Sequence, residues 1–224
     1  MSFQERLVRV RERIEGAASK SGRQAKDIFV VAVTKGVTTE KIDEARQAGI
    51  SCFGENKVQE AQEKVDARPD LEWHMIGHLQ SNKVADAVRL FNVIQSVDSV
   101  RLAEKISGEA VRQNKPMTVL LEVNVAQEEQ KYGFKSEELY AAIESMTAMP
   151  QLKIAGLMGM APNVADPEPR RQAFKKLKGL FGVCKSIKTE NMQMRYLSMG
   201  MSDDFEIAVE EGANMVRLGR VLFK

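Results

Sequence analysis

Cysteine, histidine and long apolar runs are all scarce in this chain, and each scarcity removes a class of protein. Its 224 residues hold two cysteines, Cys52 and Cys184, which make neither a disulfide framework nor a metal-ligand spacing. The two histidines, His74 and His78, stand four residues apart in a stretch that reads as strand then turn. That is not the helical face a zinc pair needs, so no metal is expected. No apolar run approaches the roughly 20 residues of a spanning helix. The amino terminus reads as an amphipathic helix rather than a signal peptide. Neither sign of charge dominates: 33 Lys and Arg against 31 Asp and Glu leave a net +2. Such a balance gives no standing attraction to nucleic acid or to an anionic membrane. The densest basic run, Arg170, Arg171, Lys175, Lys176 and Lys178, falls in a helical pattern and reads as a solvated face. The expectation is a reduced, soluble, cytoplasmic protein.

What is present is a regular alternation. With 43% hydrophobic and 29% charged residues a large core is possible. Ser2 and Glu5 have capping-box spacing, and Phe3, Leu7, Val10 and Ile14 recur at helical intervals towards a stop near Gly22. Short apolar runs follow at 28–34, 51–54, 72–76, 92–96, 117–124, 152–158, 194–199 and 214–218. Helical patterns lie between them near 39–48, 56–65, 81–90, 99–113, 136–147, 168–188 and 203–211. Eight strands alternating with helices predict a parallel sheet closed as a (β/α)8 TIM barrel with an extra amino-terminal helix, one domain over residues 1–224. An open doubly wound sheet is the alternative, but its glycine-rich phosphate turn is missing after the first strand, which continues Thr34-Lys35-Gly36-Val37-Thr38.

Chemistry-bearing residues gather at the strand tips, where barrel enzymes keep their sites. Lys35 ends the run Phe29-Val30-Val31-Ala32-Val33-Thr34, and apolar neighbours are expected to strip its hydration and favour the nucleophilic amine. Such an amine can form a Schiff base with an aldehyde. The loops after the seventh and eighth strands offer Ser198, Ser202, Gly200 and Gly219 as a phosphate cradle. Asp203 and Asp204 open the next helix, where they complement its dipole and push the phosphate off the helix axis. Arg217 lies between Val216 and Leu218 and so points the opposite way, towards the barrel mouth. Once buried it needs a partner: a ring nitrogen, or a salt bridge to Glu122 or Glu55. His78 is a candidate ligand contact, while His74 packs or hydrogen-bonds inside. Lys131 could reach an anionic ligand or be a solvated loop lysine. Met158, Met160, Met199 and Met201 read as core filler.

Five motifs in one order carry a family resemblance over essentially the whole chain. They are Val33-Thr34-Lys35, Phe53-Gly54-Glu55-Asn56, the run from Trp73 to Lys83, Leu197 to Asp204, and Val216 to Gly219. With them the chain resembles the YggS/PROSC-type pyridoxal phosphate (PLP) homeostasis family, whose fold is similar to the barrel domain of alanine racemase. The resemblance implies that Lys35 carries PLP as a Schiff base and that Arg217 faces the pyridine nitrogen. It also implies that Ser198, Ser202, Gly219 and Arg220 hold the phosphate, and that Asn56 lies beside the ring. Arg220 stands where many relatives carry a small residue, so it adds charge to the site if it turns inward and only its amide if outward.

The resemblance and the residues favour a carrier. Racemases of this fold need a second domain, for which no residues remain after the eighth strand. An arginine at the pyridine nitrogen weakens the ring as an electron sink. None of the three tyrosines, Tyr132, Tyr140 and Tyr196, ends a strand to act as a second acid-base group. The expected protein is a monomer that binds and buffers PLP, delivers it to PLP-dependent apo-enzymes, and affects amino-acid balance without strong catalysis. Two alternatives stay open: a weak PLP-dependent amino-acid racemase, and an aldolase-type enzyme acting on a phosphorylated metabolite through Lys35.

Overall fold

In the computed structural model the alternation closes on itself: strands β1 to β8 form one parallel barrel in sequence order, and β8 pairs back with β1. The structure describes residues 1–126, 128 and 132–224. The strands are β1 Phe29–Val33, β2 Cys52–Glu55, β3 Glu72–Met75, β4 Val93–Val97, β5 Met117–Val123, β6 Leu152–Gly159, β7 Met192–Ser198 and β8 Met215–Leu218. The helices are α1 Phe3–Lys20, α2 Thr39–Gln47, α3 Val58–Ala67, α4 Val84–Leu90, α5 Val100–Arg112, α6 Leu139–Met146, α7 Pro167–Lys185, α8 Phe205–Glu210 and α9 Arg220–Phe223. Helix α9 was not expected, because four residues are too short to show a helical period.

Side chains alternate across each strand, and here the two faces separate into two cores. The outer core packs helices on the barrel wall and includes Trp73, Phe53, Phe91, Phe174 and Phe205. Trp73 is buried with its indole N–H donating to Arg68 O at 3.1 Å, so burial leaves no polar atom unpaired. The inner core is small: Val31, Val93, Leu120, Ala155, Met158 and Met215. Counting by twos from these residues places Gln95, Glu122 and Arg217 in the same lumen. Met158 and Met199 are filler as expected, but Met201 is exposed, because it lies in the rim loop after β7.

Helix α1 closes the seam between the last and first strands. Its capping box forms, with Glu5 N donating to Ser2 Oγ and Ser2 N to Glu5 Oε2. Phe3 meets Phe223 at 5.3 Å between ring centroids, and Arg13 pairs with Glu206 over the Phe205 ring. The basic run on α7 is not wholly solvated, since Arg171 bridges Glu210 and Glu211 next to α8.

Candidate functional site

All eight strands point the same way, so their carboxyl ends share one rim. Lys35 follows β1 there. Thr34, fully buried, fixes its base: Thr34 N donates to Gly54 O (3.0 Å) and Thr34 Oγ1 to Glu55 Oε1 (2.6 Å). Lys64, two turns into α3, donates to both Glu55 Oε1 (2.5 Å) and Thr34 O (2.8 Å). This dry ion pair under Lys35 was not legible in the sequence, since Glu55 was read as a partner for Arg217. Gly36 then turns the chain at φ +66°, where a side chain would be strained. The result corrects the expectation of a desolvated amine. Val31, Ala32 and Thr34 form the buried part of the run, and Lys35 itself leaves it and is exposed.

The loops after β7 and β8 meet at the same rim. Gly200 has φ +94°, and a Cβ there would lie 2.6 Å from Ala208 Cβ, so only glycine fits. Ser202 Oγ reaches across to accept from Val221 N at 3.4 Å, which leaves its own proton free to donate. The amides of Gly200, Ser202 and Gly219 make no hydrogen bond among the described residues. Asp204 Oδ1 accepts from Met201 N (2.6 Å), and burial pushes its carboxyl above the usual range. Asp203 pairs with Arg220, whose side chain is largely exposed. Arg220 therefore turns outward with its charge already matched, and offers the site its backbone alone.

Below the rim the lumen holds a chain of polar side chains. Arg217, 4% exposed, donates from Nη1 to Ser198 Oγ (2.7 Å) and from Nη2 to Gly159 O (3.0 Å). Ser198 donates to Gln95 Oε1 (2.6 Å), and Gln95 Nε2 meets His74 Nδ1 (2.8 Å). His74 Nε2 completes the chain at Glu72 Oε1 (2.9 Å). Burial lowers Arg217 to about 10, against the opposing pull of Glu122 and Asp204. Neither Glu122 nor Glu55 makes the alternative salt bridge to it among the described residues; Glu122 acts through space, and Glu55 holds Lys64. Burial raises Glu122 to about 7, only partly offset by Arg217. The arrangement also corrects the reading of Ser198 as a phosphate donor. Its hydroxyl is buried and its single proton goes to Gln95.

His78 stands at the rim with Nδ1 3.0 Å from Asp98 Oδ2, stacked on Tyr132 at 3.6 Å and 11°. Tyr132 thus reaches the rim from the loop after β5, although it ends no strand. Lys131 lies outside the described residues. Asn56 follows β2 half-buried, and Gly77 packs so close that a Cβ would sit 2.4 Å from Asn56 O. At the opposite mouth Cys52, Glu72 and His74 place ligating atoms within 4.8 Å of one another, an arrangement that sequence spacing did not suggest. The rim thus gathers Lys35, Asn56, His78, Gly200, Ser202 and Gly219, whereas Ser198 and Arg217 lie beneath it and the Arg220 side chain outside it.

The fold and rim define a parallel barrel with an amine at the first strand tip, a buried arginine in the eighth strand and open amides between them. The sequence matches the alanine racemase N-terminal domain family over residues 6–224. It is 41% identical over 225 residues to the pyridoxal phosphate homeostasis protein of Aquifex aeolicus, covering 100% of this chain and 98% of that one. It is 37% identical over 221 residues to the protein of that name from Pseudomonas aeruginosa, covering 98% and 94%. The chain belongs to the alanine racemase N-terminal domain family and, within it, to the pyridoxal phosphate homeostasis proteins. Among solved structures, PipY of Synechococcus elongatus with PLP bound superposes with a TM-score of 0.86 at 32% identity, covering 100% of both chains. Clostridium difficile alanine racemase superposes at 0.76 with 16% identity, covering 99% of this chain and 55% of that one, which is a likeness of fold. Among the described residues no helix is long and apolar enough to cross a membrane.

Proposed function

We propose that this protein, as a single cytoplasmic domain, binds pyridoxal 5′-phosphate, buffers the free aldehyde and passes it to PLP-dependent apo-enzymes as a monomer. The observation that carries the reading is the buried Arg217, a cation held inside the mouth just below the rim that bears Lys35. The residues suit the three parts of the cofactor. Lys35 supplies the amine, and PLP bound there as a Schiff base would be stored rather than released as a free aldehyde. Ser202 and the amides of Gly200, Gly219 and Arg220 face the phosphate, and Asn56 and His78 flank the ring. Arg217 has five N–H donors, two of them engaged inside the barrel, so others remain for a ring nitrogen. A permanent cation there opposes protonation of that nitrogen, which limits carbanion stabilisation and favours holding over turnover.

Tyr132 beside His78 supports a second reading, a weak amino-acid racemase, because it brings a phenol to the rim. Incubating the PLP-loaded protein with single enantiomers decides between them: a carrier leaves their optical purity unchanged, whereas a racemase erodes it and loses that activity in Tyr132→Phe.

The phosphate assignment has its own test. A hydrogen bond from a hydroxyl to a charged group contributes about 1.5–3 kcal/mol, so Ser202→Ala should raise the Kd for PLP roughly 10- to 100-fold in equilibrium dialysis. Unchanged affinity would place the phosphate elsewhere.

A further inference from the structure

We infer that Gln95 and His74, anchored by Glu72, are positioning residues that hold Arg217 in the one orientation useful to the cofactor ring. The inference rests on the proposed PLP site above.

The bonding pattern allows only one direction. A guanidinium can only donate, so Ser198 Oγ accepts from Arg217 and must send its single proton on to Gln95 Oε1. That fixes the Gln95 amide, whose nitrogen faces His74 Nδ1 and donates to it. His74 Nδ1 is therefore the bare nitrogen, and Nε2–H donates to Glu72. A line of donors thus runs from a cation in the upper lumen to a carboxylate at the lower mouth, through β8, β7, β4 and β3. Ser198, Gln95 and His74 are all within 1% of full burial. In so dry a lumen each bond polarises the next, and only the last, at half-exposed Glu72, borders water.

Geometry explains why Arg217 needs this support. No carboxylate lies within ion-pair distance of it among the described residues, so charge pairing does not orient the guanidinium. Ser198 and Gly159 O do, and among the described residues the Ser198 hydroxyl is held from its other side by Gln95 alone. Breaking the chain at any link leaves the hydroxyl free to rotate and the guanidinium free to tilt.

The test uses the full-length protein with and without PLP. In the apo protein, 15N spectra of the imidazoles should show His74 as the Nε2–H tautomer, and with two histidines in the chain the assignment is simple. Gln95→Met and His74→Leu keep bulk but cut the chain. Both should shift the absorption maximum of bound PLP and raise its Kd several-fold. His74→Gln can still accept from Gln95 and donate to Glu72, so it should restore the wild-type band. A merely structural role would alter melting temperature in these variants and leave the band in place. Should both cutting variants fail to fold, Glu72→Gln decides, since that residue is half-exposed and keeps an acceptor. It should shift the band the same way by a smaller amount. A band unmoved in every folded variant, or one not restored by His74→Gln, overturns the inference. A wild-type protein that takes up no PLP at all would instead reject the underlying site.

Discussion

Replacement of Lys35 by alanine is expected to abolish the phosphopyridoxyl label that borohydride fixes on the wild-type protein. Three other amines lie close in the sequence or fold, and two of them are paired. Lys64 is bound to Glu55 and Thr34 O in a dry pocket, and Lys57 pairs with Glu60 at 2.9 Å. Lys83 ends the short turn Ser81–Lys83 in the loop of a different strand, β3. Among the described residues Lys35 has no hydrogen bond or ion pair that would hold its amine back. The prediction is complete loss of label in peptide maps of Lys35→Ala. Non-covalent PLP uptake should survive at reduced affinity, because Arg217 and Ser202 remain. A label that persists in the variant, or that maps to Lys57, Lys64 or Lys83 in the wild type, would overturn the assignment.

The second large effect concerns Glu122. Its carboxyl is 5% exposed, and burial raises it from 4.5 to about 7 despite the attraction of Arg217. Between those values the folded protein keeps a proton that the unfolded chain has released. Stability contributed by the neutral acid is therefore full below 4.5 and lost as pH rises through 7. At about 1.36 kcal/mol per unit, the shift corresponds to roughly 3 kcal/mol. Glu122→Gln imitates the neutral acid, so the apo variant should be more stable than wild type by roughly 2–3 kcal/mol at pH 8. Most of that difference should vanish at pH 5. Urea unfolding at the two pH values measures it, and comparing variant with wild type cancels other groups such as Asp204, which burial shifts in the same direction. A variant no more stable than wild type at pH 8 would show that the ionised pair with Arg217 is worth more than burial costs.

The strand and helix order was legible because the chain repeats one unit eight times, each with its own apolar run followed by a helical pattern. The sequence placed β2 at 51–54 and the structure at Cys52–Glu55; β7 begins at Met192 rather than 194. Differences of this size arise at strand ends, where polar residues such as Glu55 and Gln193 interrupt the apolar run. The rim residues Lys35, Asn56, His78, Gly200, Ser202 and Gly219 could be named for the same reason: in a parallel barrel every carboxyl strand end lands on one face. Arg217 could be aimed into the mouth by alternation alone.

What the sequence determined by itself is therefore the topology, the face that carries the candidate site and the family. Those follow from periodicities of two and 3.6 residues and from motifs contiguous in the chain. Only the tertiary structure decided which polar groups pair across the lumen and the rim. Ser198 and Gln95 are 103 residues apart and meet across the lumen. Lys64 meets Glu55 through a helix turning back over its own strand, and Arg220 finds Asp203 in another loop. Closing the barrel creates a dry interior of fixed width, and within it a hydroxyl or amide must bond to whatever lies opposite. Strand register sets that neighbour, and nothing local in the chain encodes it.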